Sequence, residues 1–297
     1  MHSHKHVVVD IEGCYPHMPK ECIRTAMAEV LEMVLAEKKQ RGCHSKTISV
    51  PHSKRQGCEW GMSRQARRSN ISTKMMLECV DFVLENTFLK LGDKILKQVR
   101  GIPMGDPLSP AIAVATCAWM EMKWMQERTT EEKQCFSAAR FMDDICVLYK
   151  TQDGENKTVS ELREKCYLPP LRLEEAEQGV FLETQFKCTE EGVLTHRLKD
   201  KNEGSDEQQV WRYHRYDSYV PYLQRFGVLM GVLKKVETMA SDGTQLRRGA
   251  AAKMTEFMKL GYPTRVLRTA CFKMHAGSAS GDWIDVARSM MENQHFD

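Results

Sequence analysis

The pattern of apolar and polar positions predicts alternating strands and helices through the first two thirds of the chain. An apolar run at 6–11 predicts a buried strand with Asp10 near its end. Helical spacing of apolar residues predicts helices at 20–41 and 74–89. The other expected elements are a strand at 47–50, a polar loop or surface helix at 54–74, a hairpin turn at 91–94, a helix at 111–125, a strand–turn–strand unit at 139–149, a helix at 159–165 and a hairpin joining 181–187 to 193–198.

The last third of the chain has a different pattern. A polar linker is expected at 202–209, and from residue 219 onward the spacing is helical. The predicted helices lie near 220–240, 245–260 and 263–275.

Composition narrows the class of protein. The chain has 297 residues, of which 42% are hydrophobic and 28% are charged, which is typical of a globular protein. No apolar run approaches the roughly 18 residues needed to cross a bilayer, so no membrane partner is expected. The eleven cysteines contain no Cys-x-x-Cys pair, which favours free, mostly buried thiols in a reducing intracellular compartment.

Charge is unevenly distributed along the chain. Residues 41–100 hold 12 Lys or Arg against 5 Asp or Glu, and residues 208–297 hold 13 against 8. Between them, residues 121–207 hold 13 basic against 20 acidic residues. An acidic middle with basic flanks is compatible with a polyanion held around a metal centre. Scattered solvated charge is the simpler interpretation, and this observation alone favours it.

Three carboxylates occur inside apolar sequence. Asp10 ends the first strand, and Asp143 and Asp144 lie between two apolar strand segments. Burying such acids is costly unless their charge is compensated, and a pair of divalent cations is one compensation. Asp oxygens suit Mg²⁺, and two such ions can activate a hydroxyl and stabilise a leaving pyrophosphate. The alternative is a hairpin turn whose acids are merely solvated.

A segment dense in Gly and Pro, residues 101–110, precedes the helix at 111–125. Ser109 is expected to cap that helix, and Pro110 suits its first turn. As a functional loop, the segment would let backbone approach a ligand closely at Gly105, next to the positive end of the helix. As a structural loop, it would only cap the helix.

Three motifs resemble those of reverse transcriptases, in the same order and with similar spacing. Residues 9–15 read VDIEGCY, residues 98–110 read QVRGIPMGDPLSP, and residues 141–144 read FMDD. The chain is most similar to the reverse transcriptases of Penelope-like retroelements, through residues 86–88 (NTF), 181–186 (FLETQF), 192–195 (GVLT) and 261–263 (GYP). The resemblance implies an α+β fold, with a small antiparallel palm sheet backed by helices in residues 1–201 and a helical thumb-like region in 202–297.

The resemblance also implies roles for individual residues. Asp10, Asp143 and Asp144 would be catalytic and would hold two Mg²⁺ ions, with Mn²⁺ as a substitute and the Ile11 carbonyl assisting. Tyr15 would lie under the incoming sugar and exclude a 2′-hydroxyl. The other implied contacts are Met104 and Gly105 with the nascent base pair, and Gln98, Lys234, Lys235, Arg247 and Arg248 with nucleic acid.

The function implied is RNA-templated DNA synthesis from deoxynucleotides, with an RNA template, a DNA primer and a nuclear setting. One departure is that the chain begins only nine residues before Asp10, where the family has a fingers region. A missing fingers segment or a partner chain would then be needed. The first alternative is therefore a retroelement remnant that binds nucleic acid without catalysis. The second is an RNA polymerase of viral type, against which Tyr15 argues.

Overall fold

A computed structural model describes residues 3–53, 56–151, 157–176, 179–188, 193–199, 212–278 and 280–292. The chain divides into two compact units, Met1–Ala176 and Glu177–Asp297. The predicted boundary at 201/202 lies outside the described residues, and the boundary between the units falls earlier. The difference arises because the strands at 180–198 pack on C-terminal helices, where Ser241 N donates to His196 O over 2.9 Å.

The first unit combines short strands with helices. Its elements are β1 (Ser3–Ile11), α1 (Cys14–His17), α2 (Lys20–Gln40), β2 (Thr47–Pro51), β3 (Glu59–Trp60), β4 (Arg68–Ser72), α3 (Thr73–Glu85), β5 (Phe88–Leu91), β6 (Lys94–Lys97), α4 (Ser109–Gln126), α5 (Thr130–Gln134), β7 (Phe136–Phe141), β8 (Asp144–Thr151), α6 (Lys157–Lys165) and β9 (Leu173–Glu175).

The central sheet has the order β7-β8-β1-β9, and every neighbouring pair is antiparallel. Strand β1 lies inside the sheet, and Val8 and Val9 are both buried, so both faces of the strand are covered at these two positions. Helices α2 and α4 pack against each other and contribute Ile23, Ala26 and several α4 residues to the same core. The predicted α+β arrangement, a small antiparallel sheet backed by helices, is confirmed.

Helix α4 begins two residues earlier than predicted, at Ser109, with Pro110 in its first turn as expected. The expectation that Ser109 caps the helix is wrong. The N-cap residue is Leu108, and the Ser109 hydroxyl instead donates to the Pro103 carbonyl, which ties the preceding loop to the helix. Ser109 is buried as a result.

The prediction of a loop or surface helix at 54–74 holds for 56–58 and 61–67, which are loop, but is wrong at 59–60 and 68–72, which are strands. Strands β3 and β4 both pair with β2, which gives a sheet of order β3-β2-β4. The strands were not predicted because a basic sequence suggests solvated side chains. The Arg68 side chain, however, is only 5% exposed. Its guanidinium donates to the Ser49 hydroxyl (2.7 Å) and to the Ser49 carbonyl (2.9 Å), so this charge is a structural element of the sheet.

Helix α3 ends at Glu85 rather than at residue 89, because the chain enters the β5–β6 hairpin at Phe88. The hairpin turn predicted at 91–94 is confirmed. At the start of helix α3, the Ser72 hydroxyl accepts a hydrogen bond from Met75 N over 3.1 Å and so caps the helix.

The second unit has a three-stranded sheet followed by helices. Its elements are β10 (Val180–Phe181), β11 (Thr184–Cys188), β12 (Leu194–Leu198), α7 (Tyr222–Thr238), α8 (Gly243–Lys259), α9 (Thr264–Gly277) and α10 (Asp282–Glu292). The three predicted helices are confirmed. The linker predicted at 202–209 lies outside the described residues.

Helix α10 was not predicted, although it completes the core of the second unit. Trp283 is fully buried there, and its indole N–H donates to Glu237 over 3.0 Å. None of the described helices has the length and apolar character required to cross a membrane.

Candidate functional site

The acids that the sequence analysis singled out lie on neighbouring strands of the central sheet. Asp10 and Asp144 are direct partners in the antiparallel register of β1 and β8. Directly opposite residues have Cα atoms about 4.5–5.5 Å apart and side chains on the same face. Asp143 precedes Asp144 in the turn between β7 and β8, and its carbonyl accepts a hydrogen bond from Ile11 N over 3.1 Å. Folding therefore brings residue 10 beside the acidic pair.

The electrostatics of these carboxylates reflect their proximity. Burial raises the pKa of Asp10 above its ordinary value, and the charges of Asp143 and Asp144 raise it further. Burial also raises the pKa of Asp144, again with a contribution from Asp143. One Asp10 oxygen, Oδ1, is buried and has no hydrogen-bond partner among the described residues. The site therefore concentrates negative charge that is incompletely compensated.

A further acid lies on the other side of β1. Glu174 of β9 is the register partner of Asp10. Its pKa is raised, first by the charge of Glu12 and also by that of Asp10. Glu174 was not predicted as a site residue because it lies outside the three motifs, and only the pairing of β1 with β9 reveals its position.

Arg140 binds the backbone of the turn that carries the acidic pair. It is a second site residue that was not predicted from the sequence. Its guanidinium donates to the Met142 carbonyl over 2.9 Å and to Glu121 of α4 over 2.5 Å. Met142 has a φ of 57°, in the left-handed region that residues other than glycine rarely adopt. Arg140 therefore fixes an unusual backbone conformation immediately before Asp143.

The glycine-rich loop is anchored to α1 through backbone. The Ile102 amide donates to the Tyr15 carbonyl over 2.7 Å. At Gly101, which has a φ of 77°, a Cβ atom would lie 2.6 Å from the Tyr15 oxygen and 2.7 Å from the Pro16 oxygen. Only glycine fits this contact. The structure thus brings the second motif against the end of the first.

Tyr15, Met104 and Gly105, predicted to contact a nucleotide, and Gln98, predicted to contact nucleic acid, differ in exposure. Tyr15 is partly exposed; burial raises its pKa, and Asp143 is among the charges that raise it further. Met104 is 80% exposed. Gly105 has a φ of 90° with no atom within 4 Å of a Cβ position, so this tip of the loop is open. Gln98 donates its side-chain amide to the Arg100 carbonyl over 2.9 Å, which is a local contact.

The donor set at the acids suits a divalent cation, because carboxylate oxygens are the ligands that Mg²⁺ prefers and Asp10 Oδ1 lacks a partner. Within the part of the chain that the structure describes, however, no three His, Cys, Asp or Glu side chains are arranged as a group that could hold a metal ion. The chemistry of the donors fits the ion, whereas the side chains do not form a converged three-ligand cluster.

The cations predicted to contact nucleic acid in the second unit have acidic neighbours in three cases. Lys234 donates to Glu237 over 2.6 Å, Lys235 pairs with Glu183, and Arg247 donates to Asp282 over 2.5 Å. Exposed ion pairs of this kind are weak and could exchange for a phosphate. Arg248 instead lines a polar pocket of about 230 Å³ together with Lys187 and Arg197.

Comparisons with known proteins give structural likenesses only. No protein-family model and no curated protein matches the chain. The apo telomerase of Candida tropicalis is similar with a TM-score of 0.45 and 13% identity, over 98% of this chain and 46% of that one. Telomerase from Candida albicans, in complex with a TWJ fragment of telomeric RNA, gives 0.43 and 10%, over 97% and 51%.

A Sicinivirus 3Dpol RNA-dependent RNA polymerase gives a TM-score of 0.46 and 8% identity, over 96% of this chain and 52% of that chain. This chain therefore spans about half the length of these proteins. At such identities and scores, the likenesses define neither a family nor an activity.

Proposed function

We propose that the chain is a template-directed nucleotidyltransferase of the reverse-transcriptase type. The observation that carries the proposal is the register of β1 and β8, which sets Asp10 directly opposite Asp144 although the two are far apart in sequence. The contact of Gly101 with the Tyr15 backbone supports it, since it joins a second motif to the same region. A solvated hairpin turn would require neither arrangement.

In the proposed reaction, the 3′-hydroxyl of a primer loses its proton to solvent, and its oxygen forms a bond to the α-phosphorus of a deoxynucleoside triphosphate. The bond from that phosphorus to the leaving oxygen breaks, and pyrophosphate is released. Asp10, Asp143 and Asp144 would hold two Mg²⁺ ions, with the Ile11 carbonyl as an additional ligand. When bound, such ions lower the pKa of the attacking hydroxyl and stabilise the charge on the leaving pyrophosphate.

The remaining residues would position the substrates. Tyr15, next to the acids, would contact the sugar of the incoming nucleotide and disfavour a 2′-hydroxyl. Met104 and Gly105, exposed at the loop tip, would lie against the nascent base pair. Arg140 would hold the turn that presents the acids, so the protein contributes mostly orientation and fixed charge.

Primer extension tests the proposal. The full chain is given an RNA template, a DNA primer, deoxynucleotides and Mg²⁺, and Mn²⁺ in a parallel series. Asp143→Asn should reduce extension to below about one hundredth, the scale of losing one transition-state-stabilising group. Asp93→Asn, in the exposed β5–β6 turn, is the matched control and should extend as the wild type does. Equal extension by Asp143→Asn and the wild type would refute the assignment.

A second candidate is a protein that binds nucleic acid without catalysis. It is favoured by the lack of a converged three-ligand group among the described residues. It predicts binding of the primer–template that weakens steeply with salt, as phosphate contacts require. Such binding, together with an absence of extension in both the Mg²⁺ and the Mn²⁺ series, would establish this candidate. Extension that occurs with ribonucleotides alone would instead indicate an RNA polymerase.

A further inference from the structure

Two cysteine thiols meet in the core of the first unit, although they are 103 residues apart in sequence. Cys14 lies in α1 and Cys117 lies in α4, and their Sγ atoms are 4.0 Å apart, within hydrogen-bond distance for sulfur. Both residues belong to the same buried cluster, and both thiols are free. The fold therefore holds a reduced dithiol pair between α1 and α4.

The distance between the two sulfur atoms is short enough for a disulfide to form with small movements. An S–S bond is about 2.05 Å long, so each sulfur would move by about 1 Å. Rotation of a cysteine side chain about its Cα–Cβ bond can supply a movement of that size. The pair is thus close to the geometry that a covalent bond requires.

The two thiols differ in access. Cys14 is 4% exposed, whereas Cys117 is fully buried. Helix α1 has only four residues, and its N-cap residue is Gly13, which has no side chain to cap it. Because so short a helix makes few hydrogen bonds of its own, it can open locally while the rest of the unit stays folded. A small oxidant therefore reaches Cys14 before Cys117.

We propose that Cys14 and Cys117 form a reversible modification site, at which hydrogen peroxide oxidises the two thiols to one disulfide. The Cys14 sulfur attacks one peroxide oxygen, the O–O bond breaks, and the other oxygen leaves as water with the thiol proton, so that Cys14 becomes a sulfenic acid. The Cys117 sulfur then attacks the Cys14 sulfur, the S–O bond breaks, and the hydroxyl leaves as water with the Cys117 proton. The two thiols lose two electrons and two protons, and the peroxide is reduced to two waters.

The disulfide would join two segments that support the candidate site. The residue after Cys14 is Tyr15, whose backbone oxygen contacts Gly101. Helix α4, which carries Cys117, also carries Glu121, the acid that holds Arg140. The modification depends only on the contact between the sulfur atoms, so it is independent of the proposed nucleotidyl transfer.

Peptide mapping of the full chain tests the proposal. The native protein is treated with hydrogen peroxide at low protein concentration, the excess is removed with catalase, and the remaining thiols are alkylated in urea before digestion with trypsin. Cleavage after Lys and Arg leaves Cys14 as the single cysteine of peptide 6–20 and Cys117 as that of peptide 101–123. Most of both peptides should appear as one disulfide-linked species, and dithiothreitol should separate them again.

Matched controls show whether the contact directs the oxidation. Cys166→Ala removes another buried thiol of the first unit and should leave the linked species unchanged, whereas Cys14→Ala should leave Cys117 as a reduced thiol. Wild-type chain treated with peroxide in urea should lose the linked species, because a long loop must then close by chance.

Three results would overturn the proposal. The first is recovery of Cys14 and Cys117 as alkylated thiols from the peroxide-treated native chain. The second is oxidation of Cys14 without linkage to Cys117, or linkage of either residue to another cysteine. The third is an equal yield of the linked species from the native and the urea-treated chain.

Discussion

Replacing Gly101 with alanine tests whether close backbone contact holds the glycine-rich loop on α1. The new Cβ would lie 2.6 Å from the Tyr15 oxygen and 2.7 Å from the Pro16 oxygen, and backbone atoms cannot rotate away. The added overlap typically costs about 1–3 kcal/mol. The left-handed φ of 77° costs an L-residue roughly 1–2 kcal/mol more. We therefore expect Gly101→Ala to lower the free energy of unfolding of the first unit by about 2–5 kcal/mol.

Gly105→Ala is the matched control within the same loop. Its φ of 90° is equally unfavourable, but a Cβ there would meet no atom within 4 Å. Only the backbone cost of roughly 1–2 kcal/mol should then appear. The difference between the two variants therefore isolates the contact with α1.

Urea unfolding followed by ¹⁹F NMR of 5-fluorotryptophan measures this difference. The signals of Trp119 and Trp124 report on the first unit, and that of Trp283 reports on the second. A separate readout for each unit is needed because a two-unit chain need not unfold in one step. If Gly101→Ala and Gly105→Ala lower the Trp119 and Trp124 midpoints equally, the inferred contact is refuted.

Three further predictions concern the same unit and the thiols. Arg140→Lys removes the planar guanidinium that donates to both Glu121 oxygens. Because charged hydrogen bonds are lost, the first unit should be destabilised by about 2–3 kcal/mol in the same assay. An unchanged midpoint would contradict this. The guanidinium of Arg24 lowers the pKa of Glu85 from 4.5 to about 2, so its stabilisation is complete above pH 4.5 and is lost as the pH falls toward 2. Glu85→Gln should reduce the change of the urea midpoint with pH over that range. A pH dependence equal to that of the wild type would count against the pairing. Burial raises the pKa of Cys271 to about 12, so native iodoacetamide treatment should modify exposed Cys135 and spare Cys271, as mass spectrometry would reveal; equal labelling would contradict the burial.

The elements that were predictable from sequence are those whose signal is local. The apolar run before Asp10 and the helical spacing of α2 and α7 identify their elements without knowledge of their neighbours. Strand β4 was missed because Arg68 is buried by bonds to Ser49, and no local pattern encodes that partner. Helix α10 was not predicted, although its buried residues Trp283, Val286 and Ala287 follow helical spacing.

The same distinction applies to the candidate site. The motifs located Asp10, Asp143 and Asp144 along the chain. The motifs do not show which residues support these acids, because Arg140 of β7 bonds the Met142 carbonyl and is itself held by Glu121 of helix α4. Glu174 likewise enters the region only through strand pairing. Supporting residues are chosen by the tertiary arrangement and have no fixed spacing from the groups they support.

The proposed chemistry therefore depends on the register of β1 and β8 and not only on the presence of the three sequence motifs. A slip of one residue between β1 and β8 would move Asp144 to the opposite face of the sheet from Asp10, with the three motifs unchanged. Two contacts oppose such a slip at the end of the ladder. The Ile11 amide is bonded to the Asp143 carbonyl, and Arg140 holds the Met142 carbonyl in a left-handed turn. Because Arg140 is itself held by α4, the helix packed behind the sheet contributes to the position of the acids.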